Sequence, residues 1–241
     1  MTHKFAQYLI LAVGALGLSA LPAAADSPCP NSSGGSFDLS YYVSTFGVGT
    51  GVGCTVGNLD FTNFTYNTGG TNKVAATNVG VTEVTTPDGP GLMFDPSGFV
   101  SGTNLSQDVF VGFTVTGLNG TLIDDIFMGF GNVTTTGTGT ALYTEQFCTG
   151  MEDQCSLFVE APITGGTNMV NLKNTAIGGP VSSLNITKDL TLQTGSSGLA
   201  ATSSFLNEYS TVPEPRGITL LLGLGLLAGF VVFKRRQVAQ S

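Results

Sequence analysis

The residues that could carry chemistry in this chain are acids and cysteines rather than histidines. The only histidine is His3, close to the N-terminus. Without another histidine, the chain beyond this point cannot form a Ser-His-Asp triad, a Cys-His dyad or a histidine-ligated metal centre. Carboxylate chemistry remains, and Asp124-Asp125 is the only adjacent pair of aspartates. Neighbours in a strand point to opposite faces, so this pair predicts solvated charges unless the backbone bends there. We therefore expect no catalytic residue and no enzyme.

The acidic side chains also raise the question of calcium, which prefers hard oxygen ligands. No D-x-D-x-D-G loop is present. We expect no resident cofactor and no metal site, and calcium is the one ion that deserves a test. Its candidate ligands lie in or near predicted loops: Asp88, Asp95, Asp124, Asp125, Glu152 and Asp153.

Four cysteines, Cys29, Cys54, Cys148 and Cys155, predict a disulfide framework. Four cysteines allow three pairings. Sequential pairing, Cys29 with Cys54 and Cys148 with Cys155, closes two short polar loops, and short loops close at the lowest entropic cost. The spacings contain no C-x-x-C and are not typical of zinc sites. Disulfides persist in oxidising compartments, so the cysteines favour an exported protein.

The N-terminus predicts export independently. His3 and Lys4 form a weakly basic start, Tyr8 to Leu21 an apolar core, and Ala23-Ala24-Ala25 a small-residue cleavage site. This order is typical of a secretory signal peptide. We expect residues 1–25 to be removed, with cleavage between Ala25 and Asp26.

Residues 26–211 are long enough for one exported domain with its own core. They contain three lysines against fifteen acidic residues, a formal net charge of −12. Such an acidic balance excludes nucleic acid as a partner and argues against charge-driven binding to anionic lipid.

The pattern of this segment predicts a mostly β domain. In Val109–Thr116, apolar residues alternate with period two, as in a half-buried strand. Leu184, Ile186, Leu190 and Leu192 repeat the pattern, with Lys188 at a strand end or edge position. Weaker alternation runs through 79–86, 122–130, 142–147, 156–160 and 169–177, and Asn119-Gly is the best hairpin turn. We expect an antiparallel β-sandwich or a jelly-roll-like domain.

Two segments depart from this pattern. Leu39, Tyr42, Val43 and Phe46 have helical spacing behind Asp38, which favours a short helix with Asp38 as its N-cap, although alternation from Phe37 to Val43 also allows a strand. The low-complexity run Thr134–Thr140 predicts a flexible loop or long hairpin.

Residues 212–241 form a separate tail. Val212-Pro213-Glu214-Pro215 is an extended, proline-fixed segment. Residues 217–233 follow as an uncharged apolar run, which at roughly 1.5 Å per residue gives a single helix just short of a bilayer core. Lys234, Arg235 and Arg236 then predict a cytoplasmic end, with the β domain outside the inner membrane.

The order Pro213-Glu214-Pro215, apolar helix and basic end resembles the PEP-CTERM sorting signal of exported Gram-negative proteins. The resemblance implies that a membrane protease of the exosortase type recognises the Pro-Glu-Pro residues, removes the tail and delivers the protein to the cell surface or the extracellular space. An ordinary single-span anchor is the alternative. More loosely, segments such as Cys54–Tyr66 and Ser106–Val115 resemble the β-rich cargo that precedes this signal.

Two functional classes remain open for the β domain. One is a non-catalytic surface or extracellular-matrix protein associated with exopolysaccharide. The other is a polysaccharide-binding module or a weak carboxylate-dependent enzyme acting on glycans. The chain has no tryptophan to stack on sugars, so Tyr41, Tyr42, Tyr66 and Tyr143 are the candidate platforms.

Overall fold

The computed structural model describes residues 27–30, 37–149, 155–159, 163–171 and 175–213. Several predicted features lie outside these ranges: the signal peptide 1–25 with Ala23, Ala25 and Asp26, the calcium candidates Glu152 and Asp153, and the tail from Glu214 onward with Pro215, the apolar run 217–233, Lys234, Arg235 and Arg236. Within the described ranges, no helix is long and apolar enough to cross a membrane.

The described chain is mostly β, as predicted, with one α-helix, α1 (Leu39–Phe46), and a short 3-10 turn at Ala76–Asn78. The strands are β1 (Ser27–Pro28), β2 (Cys54–Val56), β3 (Leu59–Gly70), β4 (Gly80–Thr86), β5 (Gly89–Asp95), β6 (Gly98–Ser101), β7 (Ser106–Gly117), β8 (Thr121–Cys148), β9 (Cys155–Val159), β10 (Ile163–Asn171), β11 (Thr175–Val181), β12 (Ser183–Gln193), β13 (Gly198–Thr202) and β14 (Ser204–Pro213).

The long strand β8 joins two layers of sheet. Its second half pairs with β12, which continues through β7 and β3 to β2 and β1, whereas its first half pairs with β14, followed by β5 and β4. The layers face each other, because the ring centroids of Phe94 in β5 and Phe113 in β7 are 5.8 Å apart. Phe61 of β3 and Tyr209 of β14 meet in the same way at 6.0 Å. The result is a two-layered antiparallel arrangement of the β-sandwich kind.

The core lies between the layers and follows the period-two pattern of the strands. Val109, Val111, Phe113 and Val115 of β7 are all buried, as their alternation predicted. Aromatic rings fill much of the space, and Phe94 and Phe205 stack at 5.3 Å. Edge and offset ring contacts of this kind add stabilisation beyond the area that they bury.

Helix α1 confirms the helical interpretation of its segment. The Asp38 side chain accepts a hydrogen bond from the backbone N–H of Tyr41 at 3.1 Å, which satisfies one of the unpaired N–H groups at a helix start. Leu39, Tyr42 and Phe46 form the buried side of the helix. The helix ends at Gly47, where a Cβ would lie 2.0 Å from the Val43 carbonyl oxygen.

The flexible loop or long hairpin predicted at Thr134–Thr140 is wrong, because this run continues β8. It pairs with β13 from Thr134 to Gly137 and, on its other side, with part of β10. Threonine is a good strand former, and a single left-handed residue, Gly137 with φ +60°, accommodates the change of direction. The two weak strands expected at 122–130 and 142–147 are therefore parts of one strand.

The turn at Asn119-Gly120 is confirmed, but it does not make a hairpin. Both residues have positive φ, 53° and 76°, as a type I′ turn requires. The strands that it joins, β7 and β8, leave in different layers and are not paired with each other. The segments Asn67–Gly70 and Ile177–Pro180 contain glycine, asparagine or proline as turns do, but they are parts of β3 and β11.

Lys188 is not at a strand end or an edge. It lies in the middle of β12, a strand paired on both sides, and its side chain is fully buried opposite Glu145 of β8. The apolar alternation of β12 is uninterrupted in space, because Lys188 occupies the inward position between Ile186 and Leu190. A buried cation is tolerated where a partner charge and hydrogen bonds replace water.

Both disulfides form with the predicted pairing, Cys29 with Cys54 and Cys148 with Cys155. Within the described ranges no cysteine is left unpaired. The first bridge joins the segment after β1 to β2, and the second joins the adjacent strand ends of β8 and β9. Most of the loop between Cys148 and Cys155 lies outside the described residues.

The last strand carries the chain to the Pro-Glu-Pro segment. Strand β14 includes Val212 and Pro213, which pair with Leu122 and Thr121 of β8. Proline donates no backbone hydrogen bond, which suits a strand end. The hydrogen-bonded sheet thus extends two residues beyond residue 211, up to the first proline of the motif.

The close packing of β8 against β13 predicts a sharp effect of substitution at Gly139. A Cβ at this buried position would lie 1.9 Å from the backbone oxygen of Leu199, so the strands must separate. We expect Gly139→Ala to lower the free energy of unfolding by about 1–3 kcal/mol, measured by urea denaturation. The control is Thr136→Ser, at an exposed position of the same strand, which should stay within about 0.5 kcal/mol of wild type. Equal stability of both variants would contradict this packing.

Candidate functional site

The candidate site is the solvent side of the first layer, called here the outer face. It consists of the outward side chains of β3, β7, β12 and the second half of β8. Period two places Val109, Val111 and Phe113 in the core, and therefore turns Asp108, Phe110 and Thr114 outward. Most of the other outward positions carry small polar or amide side chains: Asn67, Thr116, Asn185, Thr187, Thr191, Thr144 and Gln146.

Phe110 is the aromatic residue of this face. Its side chain is 36% exposed although β7 is a central strand. Its cross-strand neighbours are Asn67 of β3 on one side and Asp189 of β12 on the other. An apolar ring is thus held between an amide and a carboxylate on a rigid sheet.

Two carboxylates flank this ring. Asp108 is two positions before Phe110 on the same strand, and its carboxylate lies against Gly69, where a Cβ would be only 2.9 Å from Oδ2. Asp189 stands opposite Phe110 and accepts a hydrogen bond from the Thr191 hydroxyl at 3.4 Å. Partial burial, followed by the nearby negative charge of Asp108, raises the pKa of Asp189 to about 6.

Four residues further along β7, at Thr114, amides and hydroxyls form a chain of hydrogen bonds across three strands. Asn63, at a bulge in β3, donates to the Thr114 hydroxyl at 3.2 Å, and Thr114 donates to Asn185 Oδ1 at 2.8 Å. The bulge is shown by the register shift between Thr62 and Thr65. These contacts fix the donors and acceptors of the outer face before any ligand arrives.

This arrangement is suited to reversible binding of a hydroxyl-rich ligand. An aromatic ring offers a flat apolar surface, while carboxylate, amide and hydroxyl groups accept or donate hydrogen bonds around it. Binding sites commonly combine apolar contact with a few fixed polar groups.

The side chains of Asp124 and Asp125 do not point to opposite faces, as neighbours in a regular strand would. The register between β8 and β14 shifts at this point, and the flanking Ile123 and Ile126 are both buried. Both aspartates therefore face away from the core, on the second layer. Burial, followed by the charge of Asp124, raises the pKa of Asp125, and its Oδ1 accepts from the backbone N–H of Ile126 at 2.9 Å. Asp124 is exposed and Asp125 is half-buried.

The calcium candidates do not meet in the described part of the chain. There, no three side chains of the types Asp, Glu, His or Cys come together as a metal would need. Of the candidate ligands, Asp88 immediately precedes β5 and Asp95 is its last residue. Asp95 Oδ1 already accepts a hydrogen bond from the backbone N–H of Ser97 at 3.0 Å.

For three of the four tyrosines, the prediction that the ring is exposed and could stack on a sugar is wrong. Tyr42 and Tyr143 are buried, and the half-buried Tyr66 donates its hydroxyl to the Val74 carbonyl at 2.6 Å. Helical spacing and strand alternation pointed these rings into the core. Only Tyr41 is exposed, beside a depression of about 390 Å³ that is also lined by Phe37 and Val52.

The sequence contained the signal for the residues that were missed. In the strand Val109–Thr116, the same alternation that places the valines inside places Phe110 outside. A phenylalanine on the polar side of a central strand is the informative exception. Asp189 was harder to see, because its partner Phe110 becomes its neighbour only through the pairing of β12 with β7.

No protein-family model matches the sequence, and a search of curated proteins finds no match. Among solved structures, the chain is similar to the carbohydrate-binding module TmCBM61 in complex with β-1,4-galactotriose. The sequences are 10% identical, the similarity covers 60% of this chain and 88% of that chain, and the TM-score is 0.30. It is also similar to a family 11 carbohydrate-binding module from Clostridium thermocellum, with 10% identity, 60% and 88% covered, and a TM-score of 0.24. A third similarity, to the enzymatically active domain of tailspike protein 4 of bacteriophage CBA120, has 15% identity, covers 61% of this chain but 19% of that one, and has a TM-score of 0.29. Likenesses this weak carry no argument about the ligand.

The pKa of Asp189 predicts a pH-dependent stability. A carboxyl whose folded-state pKa is raised destabilises the folded state when it is ionised, so the cost is complete above about pH 6 and fades as pH falls toward the ordinary value of 3.8. We expect Asp189→Asn to raise the urea midpoint at pH 7.5, and the gain to shrink at pH 5. Asp124→Asn, at an exposed position, is the control and should show a smaller gain. A gain for Asp189→Asn that grows on acidification would contradict the assignment.

Proposed function

We propose that the exported domain is a non-catalytic component of the cell surface or extracellular matrix, and that it binds polysaccharide through its outer face. The observation that carries this proposal is Phe110, a partly exposed ring in a central strand with Asp189 directly opposite and Asp108 on the same strand. A central position holds the ring rigidly, and rigid aromatic groups lose little entropy when a ligand stacks on them.

The charge of the domain indicates which polysaccharide. Of the two lysines that the structure describes, Lys188 is buried and only Lys73 is exposed, and residues 26–211 contain no arginine. The surface therefore offers almost no cation to an anionic polymer. Carboxylates that accept hydrogen bonds from hydroxyls suit a neutral glycan. We infer that the ligand is a neutral exopolysaccharide.

A second candidate is a carboxylate-dependent glycan-acting enzyme on the same face. It is favoured by one observation, the raised pKa of Asp189 beside a second carboxylate, Asp108. Glycosidases use a pair of acids of which one is held protonated near neutral pH. The two carboxylates lie on the face of a sheet beside a partly exposed ring, an arrangement that favours binding over catalysis.

We also propose that the tail sorts the protein. The support is the sequence order from Pro213 to Arg236 and the position of Pro213 at the end of β14. The domain would be held outside the inner membrane until an exosortase-type protease processes the tail, and would then be released to the surface. The alternative remains a permanent single-span anchor.

The binding proposal predicts that Phe110→Ala weakens binding to a neutral exopolysaccharide at least about tenfold, the equivalent of ~1.4 kcal/mol. Loss of the ring removes the apolar contact and leaves the polar groups in place. The matched control is Phe99→Ala, a ring that is 53% exposed on β6, a strand that pairs with β13 and is not one of the strands of the outer face. Affinity electrophoresis in polysaccharide gels measures both, and equal binding by wild type and both variants would exclude Phe110 from the site.

The same samples separate binding from catalysis. We expect no new reducing ends when the wild-type domain is incubated with the polysaccharide. Reducing ends that disappear in Asp108→Asn and Asp189→Asn would instead support the enzyme.

The sorting proposal predicts the fate of the tail. Replacing Pro213, Glu214 and Pro215 together by alanine leaves the apolar run unchanged, and should trap a full-length, membrane-bound form in a host that has an exosortase. The matched wild-type measurement is the intact mass of the surface fraction. We expect it to lack the apolar helix; a complete C-terminus through Ser241 would leave only the anchor.

A further inference from the structure

Three fully buried side chains, Lys188, Glu145 and Asn207, meet between the two layers. Lys188 Nζ lies 2.8 Å from Glu145 Oε2, and Asn207 Nδ2 lies 2.7 Å from the other oxygen, Glu145 Oε1. One carboxylate therefore holds an amine and a carboxamide side by side. The carboxamide oxygen, Asn207 Oδ1, is buried without a hydrogen-bond partner.

The surroundings of these groups are aromatic. Lys188 Nζ lies 5.3 Å from the ring centroid of Tyr143 and 5.6 Å from that of Phe205, and it donates to the Tyr143 hydroxyl at 2.6 Å. Tyr143 in turn donates to Glu145 at 2.8 Å. Burial lowers the pKa of Lys188, although the charge of Glu145 opposes this shift. Low polarity thus favours transfer of a proton from the ammonium to the carboxylate, which neutralises both groups.

We propose that this cluster is a self-modifying site, in which Lys188 Nζ bonds to Asn207 Cγ to form an intramolecular isopeptide crosslink with release of ammonia. An ordinary buried ion pair would need only Lys188 and Glu145. The third member, a carboxamide on the same carboxylate, supplies a carbon that an amine can attack. Glu145 is positioned between the attacking nitrogen and the leaving nitrogen, which is the place of a proton shuttle.

The reaction balances without any further reagent. Proton transfer from Lys188 to Glu145 gives a neutral amine and a carboxylic acid. The amine lone pair attacks Asn207 Cγ, and the C–Nζ bond forms as the carbonyl oxygen takes up negative charge. One proton passes through Glu145 to Nδ2, the Cγ–Nδ2 bond breaks, and ammonia leaves as the carbonyl re-forms. The second proton lost by the original ammonium remains on Glu145, and no atom is oxidised or reduced.

The position of the crosslink would make the domain resistant to a pulling force. Lys188 is on β12 of the first layer, whereas Asn207 is on β14 of the second layer, the strand that continues to Pro213. An amide between them would tie the two layers covalently. A force applied through the C-terminal end of β14 would then meet a covalent bond instead of a row of hydrogen bonds. Such a tie suits a protein held at the cell surface by that end, but the chemistry does not depend on that role.

The test is a mass measurement on the whole exported chain after reduction and denaturation. We expect a mass below that of the processed sequence by one ammonia molecule. Trypsin should then fail to cleave after Lys188, so that the peptide from Asn174 to Arg216, or to the processed end, stays in one piece. Succinimide formation at an asparagine also releases ammonia, but it leaves Lys188 cleavable. A wild-type mass equal to the sequence mass, with normal cleavage after Lys188, would overturn the proposal.

Variants identify the roles of the three side chains. Glu145→Gln keeps the size of the side chain, but it replaces one accepting oxygen with an N–H donor and cannot shuttle a proton, so we expect a less stable protein without the mass loss. Lys188→Met removes the nucleophile and should also show none. Asn207→Asp should lose water instead of ammonia and give the same final mass as wild type, because both reactions form the same amide. Complete ammonia loss in folded Glu145→Gln would contradict the assigned shuttle, and folding is checked by near-ultraviolet circular dichroism.

Discussion

The packing of the two layers depends on a buried ion pair, Lys188 with Glu145, that is not solvated by water. Lys188 and Glu145 face each other across β12 and β8 with fully buried side chains, and the desolvation of two ions costs several kcal/mol each unless attraction and hydrogen bonds replace the lost water. Here they do so through Tyr143 and Asn207. Loss of either charge would leave its partner unpaired, and in other proteins such a loss costs about 3–5 kcal/mol. The hydrogen bond from Asn207 crosses from one layer to the other, so this cluster also fixes how the layers meet.

The same strand that buries Lys188 presents Asp189 to solvent. Period two makes this possible, because adjacent residues of β12 belong to opposite faces. The positively charged Lys188 side chain lies in the core, and the carboxylate of Asp189 lies on the outer face beside Phe110. Because Lys188 is buried together with Glu145, the pair leaves the net charge of the domain unchanged but removes one of its few cations from the surface. This scarcity of surface cations supports our proposal of a neutral, hydroxyl-rich ligand.

Local features were predictable from the sequence, whereas features created by pairing were not. The helix α1 follows from its spacing and its Asp38 cap, the buried face of β7 from its alternation, and both disulfides from the short loops that they close. The role of Lys188 was missed because a single lysine in an apolar strand is usually at an edge, and only the register with β8 reveals Glu145 opposite it. The Thr134–Thr140 run differs from its predicted loop or hairpin because threonine has a high strand propensity, which a low-complexity sequence does not reveal. The outer face is predictable only in part. The alternation of β7 alone places Phe110 outside, but Asp189 can be placed beside it only from the pairing of β12 with β7.

The most direct test of the binding account is to map the ligand on the surface. Backbone amide shifts of the isotopically labelled domain would be followed while oligosaccharide fragments of a neutral exopolysaccharide are added. The account predicts that the perturbed amides cluster on β3, β7 and β12 around Phe110 and Asp189, and that those of the second layer, including Asp124 and Asp125, remain unchanged. Perturbations confined to the second layer or to the surroundings of Tyr41, or no perturbation at all at saturating fragment, would contradict it.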